Sequence, residues 1–382
     1  MKSDIPSGSA GGGPGPAAGP RAFGPYAADD LDRKIVHALQ IDGRVPFSRL
    51  AAVLGVSDQT VARRYTRLRS AGLIKVLGLT EPESLGEVVW MVRVQCTPDS
   101  AVSVAEALAR RPDTSWVSLL SGGTEIGAVT RAATSRDTDT LLLRQLPRTP
   151  RVVALTAHCV LHEFYGGALG HVNKSGALTE EEAERLRPAR PEPEVAPAGP
   201  RAGPTAGPTV RPAAGPAVRP GPGPLGDADH RMLAVLARDG RAGLAELAAA
   251  SGWSQSTVRR RLADLRADGT LYYDVDYDLR IFGLGASAML WLSAPPSELA
   301  ATGEALAGHP EVAFACATTG PHNLLACVCC RDSPALYRYV TTRIAALPAV
   351  GRMEMSPVIR RVKGPGPLLG PPWTTHRITS IG

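Results

Sequence analysis

The 382-residue chain lacks the features that mark secreted and membrane proteins. Its six cysteines are too few to build a disulfide framework in a chain of this length. No uncharged stretch reaches the roughly 18 apolar residues that a membrane helix needs, and residues 1–20 contain no apolar signal segment. We therefore expect a cytoplasmic protein with reduced thiols and without a membrane partner.

Motifs for catalysis and metal binding are also missing from the sequence. Its glycine-rich stretches contain no Gly-Lys-Ser/Thr phosphate loop, and no nucleophile elbow or acid/base carboxylate pair is recognisable. Cys327, Cys329 and Cys330 have no second cysteine pair at zinc-finger spacing, so we interpret them as buried small residues on a strand, with a redox sensor as the alternative. His158 and His162 share one face of a predicted strand without a further ligand nearby. The sequence thus predicts no catalytic residue, no metal site and no cofactor.

Internal repetition is the most informative property of the chain. The segment that begins at Leu31 returns near Ala228 without a gap and at a constant offset of 197 residues. A repeating unit of this length is far too long for a solenoid, so it indicates two copies of a whole module. Residues shared by the two copies include the pairs Asp32 and Asp229, Gly43 and Gly240, Arg44 and Arg241, Leu50 and Leu247, Gly55 and Gly252, Ser57 and Ser254, Thr60 and Thr257, Val61 and Val258, Arg63 and Arg260, Arg64 and Arg261, Leu68 and Leu265, and Gly72 and Gly269.

Each copy contains the pattern of a helix-turn-helix whose second helix is basic. In the first copy Ser57 is a favourable N-cap, and Gly72 is a natural residue just beyond a helix. Val61, Tyr65 and Leu68 share one apolar face, so the opposite face carries the polar side chains. The candidate DNA-binding residues are Ser57, Gln59, Thr60, Arg63, Arg64 and Arg67 in the first copy and Gln255, Ser256, Thr257, Arg259, Arg260 and Arg261 in the second.

The recognition helices expected over residues 57–71 and 254–268 suit the chemistry of double-stranded DNA. In a helix-turn-helix the second helix enters the major groove, where arginine can bind guanine and glutamine can bind adenine through two hydrogen bonds. The alternative is a pair of ordinary amphipathic helices with solvated arginines. Residues 30–75 hold nine Lys/Arg against four Asp/Glu, whereas residues 227–269 hold seven against six. We therefore expect the first module to bind DNA more strongly than the second.

The remaining segments predict an α+β protein with alternating domains and linkers. Each mixed segment reads strand, helix, strand, strand, helix, strand, which is the order of a ferredoxin-like βαββαβ domain. The predicted elements are 87–96, 100–111, 114–120, 125–132, 137–146 and 152–161 in the first copy, and 286–292, 297–307, 312–318, 324–330, 333–347 and 351–362 in the second. A short helix opened by a capping box of Thr179 and Glu182 precedes the linker. The domain order is a Gly/Pro/Ala-rich disordered tail (1–28), a winged helix-turn-helix (29–78), a βαββαβ domain (84–165), a Pro/Gly/Ala-rich linker (188–226), a second winged helix-turn-helix (227–276), a second βαββαβ domain (284–363) and a tail (364–382).

The first module contains a set of motifs that occur together in a known family. They are Leu31-Asp32, Asp42-Gly43-Arg44, Leu50-Ala51, Gly55-Val56-Ser57 and Thr60-Val61-Ala62-Arg63-Arg64 leading to Gly72-Leu73-Ile74. Through these motifs the module sequences resemble those of the Lrp/AsnC family of bacterial transcription regulators. The resemblance covers residues 30–165 and 227–363 and is weaker in the second module, where Trp253 replaces a small apolar turn residue. It implies a sequence-specific DNA-binding transcriptional regulator that is not an enzyme, with βαββαβ domains that bind small-molecule effectors, often amino acids.

Two such units in one chain imply an intramolecular pseudo-dimer. Because effector domains of the family pair across their sheets, we expect the sheets within 87–161 and 286–362 to face each other. Fusion also frees the two halves to diverge, so the DNA half-sites need not be palindromic. Family members often assemble into larger rings, which makes a higher homo-oligomer a further expectation.

The same resemblance places the effector at the turn between the second and third strands of each βαββαβ domain. The family has a Gly-x-Tyr-Asp-type turn there, whereas this chain has Gly122-Gly123-Thr124-Glu125 and Gly320-Pro321-His322-Asn323. Glu125 could meet a cationic amine and Asn323 carries no charge, and a plain hairpin turn is the alternative. An effector that prefers one pairing of the sheets would change the spacing of the recognition helices. The candidate effector-binding residues are Gly122, Thr124, Glu125, Gly320, His322 and Asn323.

Two other functions are alternatives to this reading of the sequence. Siroheme decarboxylases resemble the family and work as two related halves, and His158, His162 or His322 would then be proton donors in a cofactor pocket. The arginine-rich second helices favour DNA binding, because such chemistry does not need them. The other alternative is a nucleoid-organising protein without sequence preference, whose binding to DNA would collapse as the salt concentration rises.

Overall fold

The computed structural model describes residues 28–132, 151–188 and 225–368. The helix predicted at 137–146, most of the predicted 1–28 tail and 188–226 linker, and the end of the 364–382 tail lie outside these residues. None of the described helices is long and apolar enough to cross a membrane. Within the same residues, no group of three or more His, Cys, Asp or Glu is placed to hold a metal ion.

The two halves follow the same element order, apart from residues 133–150, which lie outside the described residues, and the helix that ends the first half. The first half contains α1 (Asp30–Ile41), α2 (Phe47–Leu54), α3 (Asp58–Ser70), β1 (Ile74–Thr80), β2 (Val88–Cys96), α4 (Ala101–Ala109), β3 (Thr114–Leu120), β4 (Glu125–Ala132), β5 (Val152–Tyr165) and α5 (Glu180–Leu186). The second half contains α6 (Asp227–Leu236), α7 (Leu244–Ser251), α8 (Gln255–Ala267), β6 (Leu271–Tyr277), β7 (Ala286–Ser293), α9 (Leu299–Ala307), β8 (Val312–Thr318), β9 (Leu324–Cys330), α10 (Ser333–Tyr339) and β10 (Arg352–Arg361).

Helix signals repeated in the sequence form the two helix-turn-helix modules. The Ser57 and Ser254 side chains each accept a hydrogen bond at 3.1 Å from the backbone three residues ahead, which caps α3 and α8. Gly55 and Gly252 end α2 and α7 in the left-handed region, with φ of 67° and 81°. The inner faces of α3 and α8 are buried, and they consist of Val61, Tyr65, Leu68, Val258, Leu262 and Leu265.

Strands β2 to β5 and β7 to β10 form two antiparallel sheets that close into one barrel. The eight strands lie in the order β10, β3, β4, β2, β5, β8, β9 and β7, and β7 pairs again with β10. Each half thus has the ferredoxin-like order, and the halves join where β5 pairs with β8 and β10 pairs with β3. The two sheets therefore form one body within a single chain.

The predicted ends of four of the eight barrel strands agree with the structure. Strands β3, β4, β8 and β9 have the predicted ends. Strand β5 continues four residues beyond the predicted end at 161, because its last residues pair with β8 of the other half. The helix predicted at 333–347 is also shorter as an α-helix, since α10 ends at Tyr339 and continues as a π-helix, Val340–Ile344.

The strand that follows each helix-turn-helix pairs with its counterpart in the other module. β1 runs antiparallel to β6, from Ile74 opposite Tyr277 to Thr80 opposite Leu271, so each wing is a single strand in a shared two-stranded ribbon. A Cβ atom added to Gly43 would lie 2.6 Å from Cβ of Tyr273. The repeated glycine at this position therefore permits close approach of the other module's strand.

Four arginines reinforce this contact in a near-symmetric way. Each hydrogen bond or ion pair runs from one module to the other, so the repeated Asp-Gly-Arg motif forms an interface between the copies. The contacts are Arg44 Nη1 to the carbonyl oxygen of Gly240 (2.8 Å), Arg241 Nη1 to that of Gly43 (2.7 Å), Arg69 Nη2 to Asp239 Oδ2 (2.6 Å) and Arg266 Nη2 to Asp42 Oδ1 (3.1 Å).

Residues 166–187, which we call the strap, connect the barrel to the first module. Lys174 Nζ donates to the carbonyl oxygens of Ala307, His309 and Val312 at 2.7, 3.0 and 2.8 Å, all in the second half. Further along, α5 begins with the predicted capping box of Thr179 and Glu182. Leu178 and Leu186 of the strap lie in the core of the first module. The strap thus links the second βαββαβ domain to the first helix-turn-helix.

The predicted tail at 364–382 begins as packed chain. The carbonyl oxygen of Gly364 accepts a hydrogen bond from the backbone N–H of Trp116 at 3.0 Å. A Cβ atom at Gly366 would lie 2.8 Å from Cδ1 of Leu77, and Leu368 packs against the core of the first sheet. These contacts anchor residues 364–368, and the prediction of a tail from residue 364 is wrong for them.

Candidate DNA-binding face and effector turns

The outer faces of α3 and α8 carry the candidate DNA-binding residues. On α3, Gln59 and Arg63 are exposed. On α8, Arg259 and Arg260 are exposed, as are Gln255 and Ser256 at its start. Within the described residues Arg63, Arg259 and Arg260 make no ion pair, so their guanidinium groups are available to an incoming ligand.

Three other candidate arginines bind carboxylates at the start of the first helix of their module. Arg64 forms ion pairs with Asp29 and, at 3.1 Å, with Asp32, and Arg67 binds Asp32 at 2.9 Å. The side chain of Asp32 is completely buried. These contacts fix the angle between α3 and α1, so Arg64 and Arg67 position the recognition helix.

Arg261 has the same role in the second module. Its Nε and Nη2 atoms lie 2.7 and 3.1 Å from the two carboxylate oxygens of Asp229. Burial is the largest single influence on Asp229 and raises its pKa, but the hydrogen bonds from Arg261 and the Gly226 N–H, together with the charge of Arg261, outweigh burial, so the pKa is lowered. Asp32 and Arg64 of the first copy recur as Asp229 and Arg261 in the second. This joint recurrence is the sequence signal that would have indicated these ion pairs.

The hydroxyl groups among the candidates serve first as helix caps. Ser57 Oγ lies 2.9 Å from Thr60 Oγ1 in addition to its bond with the Thr60 backbone. Ser254 Oγ, which is equivalent to Ser57 Oγ, lies 2.8 Å from Ser256 Oγ and 2.9 Å from Thr257 Oγ1. These residues set the N-terminus of each recognition helix, the end that faces base edges in a helix-turn-helix.

In the first effector turn, Glu125 is buried and already has a cationic partner. The turn passes through Gly122 and Gly123, which have φ of 76° and 88°. Glu125 forms an ion pair with Arg93 and accepts hydrogen bonds from Ser121 Oγ at 2.9 Å and Ser356 Oγ at 3.1 Å. Ser356 belongs to the second half, so the carboxylate that was expected to meet a ligand joins the two sheets.

Arg93, the ion-pair partner of Glu125, also contacts residues of the second half. The Arg93 guanidinium lies 4.7 Å from the centre of the buried Trp291 ring and donates to Glu354 at 3.2 Å. The centre of the His158 ring lies 5.1 Å from that of the Trp291 ring, and its Nδ1 is 2.7 Å from the carbonyl oxygen of Thr319. Arg93, Trp291 and His158 therefore belong to the contact between the halves, and sequence periodicity gave no sign of this cluster.

In the second turn the candidate residues also form hydrogen bonds with other residues of the chain. Asn323 Nδ2 donates to the carbonyl oxygen of Ala294 at 2.9 Å, and the Ala294 N–H donates back to Asn323 Oδ1 at 3.0 Å. The carbonyl oxygen of His322 accepts from Thr318 Oγ1 at 3.0 Å. Gly320 has φ of 107°, and a Cβ atom there would lie 2.5 Å from His158 Nδ1. Thr124 of the first turn behaves similarly, since its hydroxyl lies 3.3 Å from the carbonyl oxygen of Ser121.

Pockets and cysteines offer little for catalysis in the described part of the chain. Two shallow depressions lie beside Lys75 and Asp276 of the β1–β6 ribbon, and no histidine lines either of them. The His162 ring packs edge-on against Phe164 at 4.7 Å. Cys329 and Cys330 are buried, as predicted, whereas Cys327 is only half-buried. Burial raises the pKa of the Cys330 thiol to about 11.

Comparison with known proteins agrees with this architecture. The family model for the AsnC-type helix-turn-helix domain matches residues 29–69 and 225–266, and that for the Lrp/AsnC ligand binding domain matches residues 287–368. An uncharacterized HTH-type transcriptional regulator of Pyrococcus furiosus is 32% identical over 120 residues, which cover 31% of this chain and 81% of that protein. The chain belongs to the Lrp/AsnC family. As members of this family do, it binds DNA and regulates transcription, and its ligand-binding domain fits control by an effector.

Two further proteins similar to this Lrp/AsnC chain are a regulator found by sequence and an enzyme found by structure. The HTH-type transcriptional regulator LrpA of Pyrococcus abyssi is 27% identical over 138 residues, 36% of this chain and 98% of that protein. Both Pyrococcus relatives are archaeal, so the expected restriction to bacteria is not supported. The crystal structure of the siroheme decarboxylase NirDL matches 88% of this chain and 93% of its own, with a TM-score of 0.55 and 14% identity. That likeness shows a shared fold across the whole tandem arrangement.

Proposed function

We propose that this Lrp/AsnC regulator acts in the cytoplasm as a pseudo-dimer within one chain, with α3 and α8 in successive major grooves of double-stranded DNA. The supporting observation is the pair of capped, exposed basic helices joined through the β1–β6 ribbon. Two-fold helix-turn-helix proteins bind half-sites about 34 Å apart on one face of the duplex. A ribbon shared by both modules suits such a fixed spacing.

The candidate side chains divide into those that contact DNA and those that hold the helices. In this proposal Gln59 and Arg63 of α3 contact base edges or phosphates, with Gln255, Arg259 and Arg260 of α8. Thr60, Ser256 and Thr257 line the same helix ends, and Ser57 caps α3. Arg64, Arg67 and Arg261 act indirectly, because their ion pairs set the angle of each recognition helix.

Control by an effector is the second part of the proposal. A small molecule with a cationic amine, such as an amino acid, would bind near Gly122, Thr124 and Glu125 only by replacing Arg93 as the partner of the carboxylate. The equivalent residues Gly320, His322 and Asn323 include no carboxylate and would bind a different group. Because Glu125 and Ser356 join the two halves, such an exchange would alter the barrel and with it the spacing of the recognition helices.

DNA footprinting of the purified full chain at several salt concentrations tests the regulatory function. We expect two protected segments about 10 base pairs apart on one face of a specific operator, and we expect them to persist as non-specific binding weakens. Uniform protection that disappears with salt would favour a nucleoid-organising protein. Absence of any binding, even in dilute buffer with metabolites, would remove the proposed function.

We further propose that the chain is not an enzyme. The likeness to siroheme decarboxylase lies in the fold, and two of the three candidate proton donors, His158 and His162, are engaged with Thr319 and Phe164. Purified protein incubated with an iron tetrapyrrole and passed through a desalting column provides the test. A retained Soret-type absorbance band would favour the decarboxylase alternative, and a colourless protein would support regulation.

A further inference from the structure

Resting on the proposed function, we infer that α8 is the main base-reading helix and that the operator is asymmetric, with a strong half-site under α8 and a weak one under α3. This order is opposite to the one that the count of charged residues predicts. It follows from which guanidinium groups are left exposed once the modules have packed.

In the first module most arginines of α3 are engaged inside the protein. Arg64 and Arg67 bind carboxylates at the start of α1, and Arg69 binds Asp239 of the other module. Arg63 alone among the α3 arginines makes no ion pair within the described residues. An arginine must give up an existing ion pair before it binds a base or phosphate, so an engaged arginine adds less affinity.

The second module keeps two arginines for a ligand. Arg261 and Arg266 are engaged by Asp229 and Asp42, but Arg259 and Arg260 are exposed and without an ion pair in the described part of the chain. Both lie in the first half of α8, the part of a recognition helix that reaches base edges. Two adjacent guanidinium groups in this part of the helix can bind guanine and the flanking phosphates.

Two differences between equivalent positions increase the asymmetry. Asp58 opens α3 where Gln255 opens α8, and Ala62 stands where α8 has Arg259. The carboxylate of Asp58 accepts a hydrogen bond from its neighbour's N–H at 2.8 Å and adds negative charge next to the phosphates. Gln255 is neutral and can bind adenine through two hydrogen bonds.

The strap adds a third difference beside the first module. Its helix α5 packs against α1 and α2 and carries exposed carboxylates at Glu180, Glu181 and Glu184, of which two pair with Arg187. In a helix-turn-helix the helix before the recognition helix crosses the DNA backbone, so carboxylates beside α2 oppose phosphates. No equivalent helix packs on the second module within the described residues.

The test measures the affinity of the full chain and its variants for a selected operator by gel shift, and protection of each half-site by footprinting. We expect Arg260→Ala to weaken binding by about 5- to 150-fold and to relax base preference in one half-site, as loss of a bidentate base contact does. The matched Arg63→Ala variant should lose clearly less affinity. Arg331→Ala, which removes an exposed arginine from the barrel, should leave affinity unchanged.

A gain-of-function variant provides the reciprocal test. Asp58→Gln combined with Ala62→Arg places the glutamine and the additional arginine of α8 at the equivalent positions of α3, and we expect it to strengthen binding at the weak half-site by about fivefold or more. Equal or greater loss with Arg63→Ala than with Arg260→Ala would overturn the inference while leaving the proposed function intact. Failure of the unmodified chain to bind DNA would instead refute the proposed function. Thermal unfolding of each variant confirms that lost affinity does not reflect lost folding.

Discussion

Replacing Arg261 or its neighbour Arg260 by Ala distinguishes a residue that positions the recognition helix from one that contacts DNA. Arg261 binds Asp229 through two hydrogen bonds, whereas its neighbour Arg260 points outward from the same helix. Sequence alone gives both residues the same role, because both lie on the polar face of α8. The structure predicts that Arg261→Ala lowers the free energy of unfolding and that Arg260→Ala does not.

The magnitude follows from how far the pair is buried. The side chain of Arg261 is 22% exposed and that of Asp229 is 6% exposed. Breaking a fully buried ion pair costs about 3–5 kcal/mol, and breaking an exposed pair costs about 0–1 kcal/mol. In Arg261→Ala the carboxylate of Asp229 keeps its place at the N-terminus of α6, where the backbone N–H of Gly226 donates to it at 3.1 Å. This contact partly stabilises the carboxylate after its arginine partner is removed. We therefore expect a loss of about 1–3 kcal/mol for Arg261→Ala, and a change within about 0.5 kcal/mol for Arg260→Ala.

Urea unfolding followed by circular dichroism measures both variants, and Asp229→Asn completes a double-mutant cycle. Because the folded-state pKa of Asp229 is lowered, the stabilisation from the pair is present above the unfolded pKa and is lost as the pH falls through the folded pKa. The difference between Arg261→Ala and the unmodified chain should therefore shrink in strong acid. Equal stability of the two arginine variants, with DNA binding lost only in Arg261→Ala, would refute this division of roles.

Three further predictions concern the interfaces of the molecule. Gly240→Ala places a Cβ atom 2.8 Å from the backbone of Leu77 and should cost about 1–3 kcal/mol in urea unfolding, whereas Gly351→Ala, whose nearest neighbour is 3.9 Å away, should cost much less. Lys174→Met leaves three carbonyl oxygens without their charged donor and should lower the unfolding free energy by about 1–3 kcal/mol, and an unchanged midpoint would contradict a stabilising strap. Burial raises the pKa of Asp274 to about 6, so its ionised form disfavours folding at higher pH, and Asp274→Asn should stabilise the chain increasingly between pH 4 and 7, as calorimetry would show.

Local structure was largely predictable because its causes are local in the sequence. Ser57 and Ser254 cap their helices as predicted, and Gly55 and Gly252 end the preceding helices. Strands such as β3 and β9 begin and end at turn residues that are visible in the sequence. These features need only neighbouring residues, and the repeat supplied each of them twice.

Partners across the fold were not predictable in the same way. Helical periodicity places Arg63 and Arg64 on one polar face, but only the packing of α1 against α3 decides that Arg64 meets Asp32. A strand pattern likewise does not name its partner, so pairing of β1 with β6 instead of a wing hairpin could not be deduced from composition. Glu125 has Arg93 as its partner because β2 and β4 lie side by side, which a single strand pattern does not reveal.

Pairing of β1 with β6 and closure of the barrel by both halves have a consequence for how the protein responds to its own abundance. A regulator assembled from separate subunits dissociates on dilution, so its occupancy of an operator falls more steeply than its concentration. Here the two helix-turn-helix modules belong to one polypeptide, so they remain together at any concentration of the protein. Where one chain fills one operator, operator occupancy should therefore rise in simple proportion to expression at low levels.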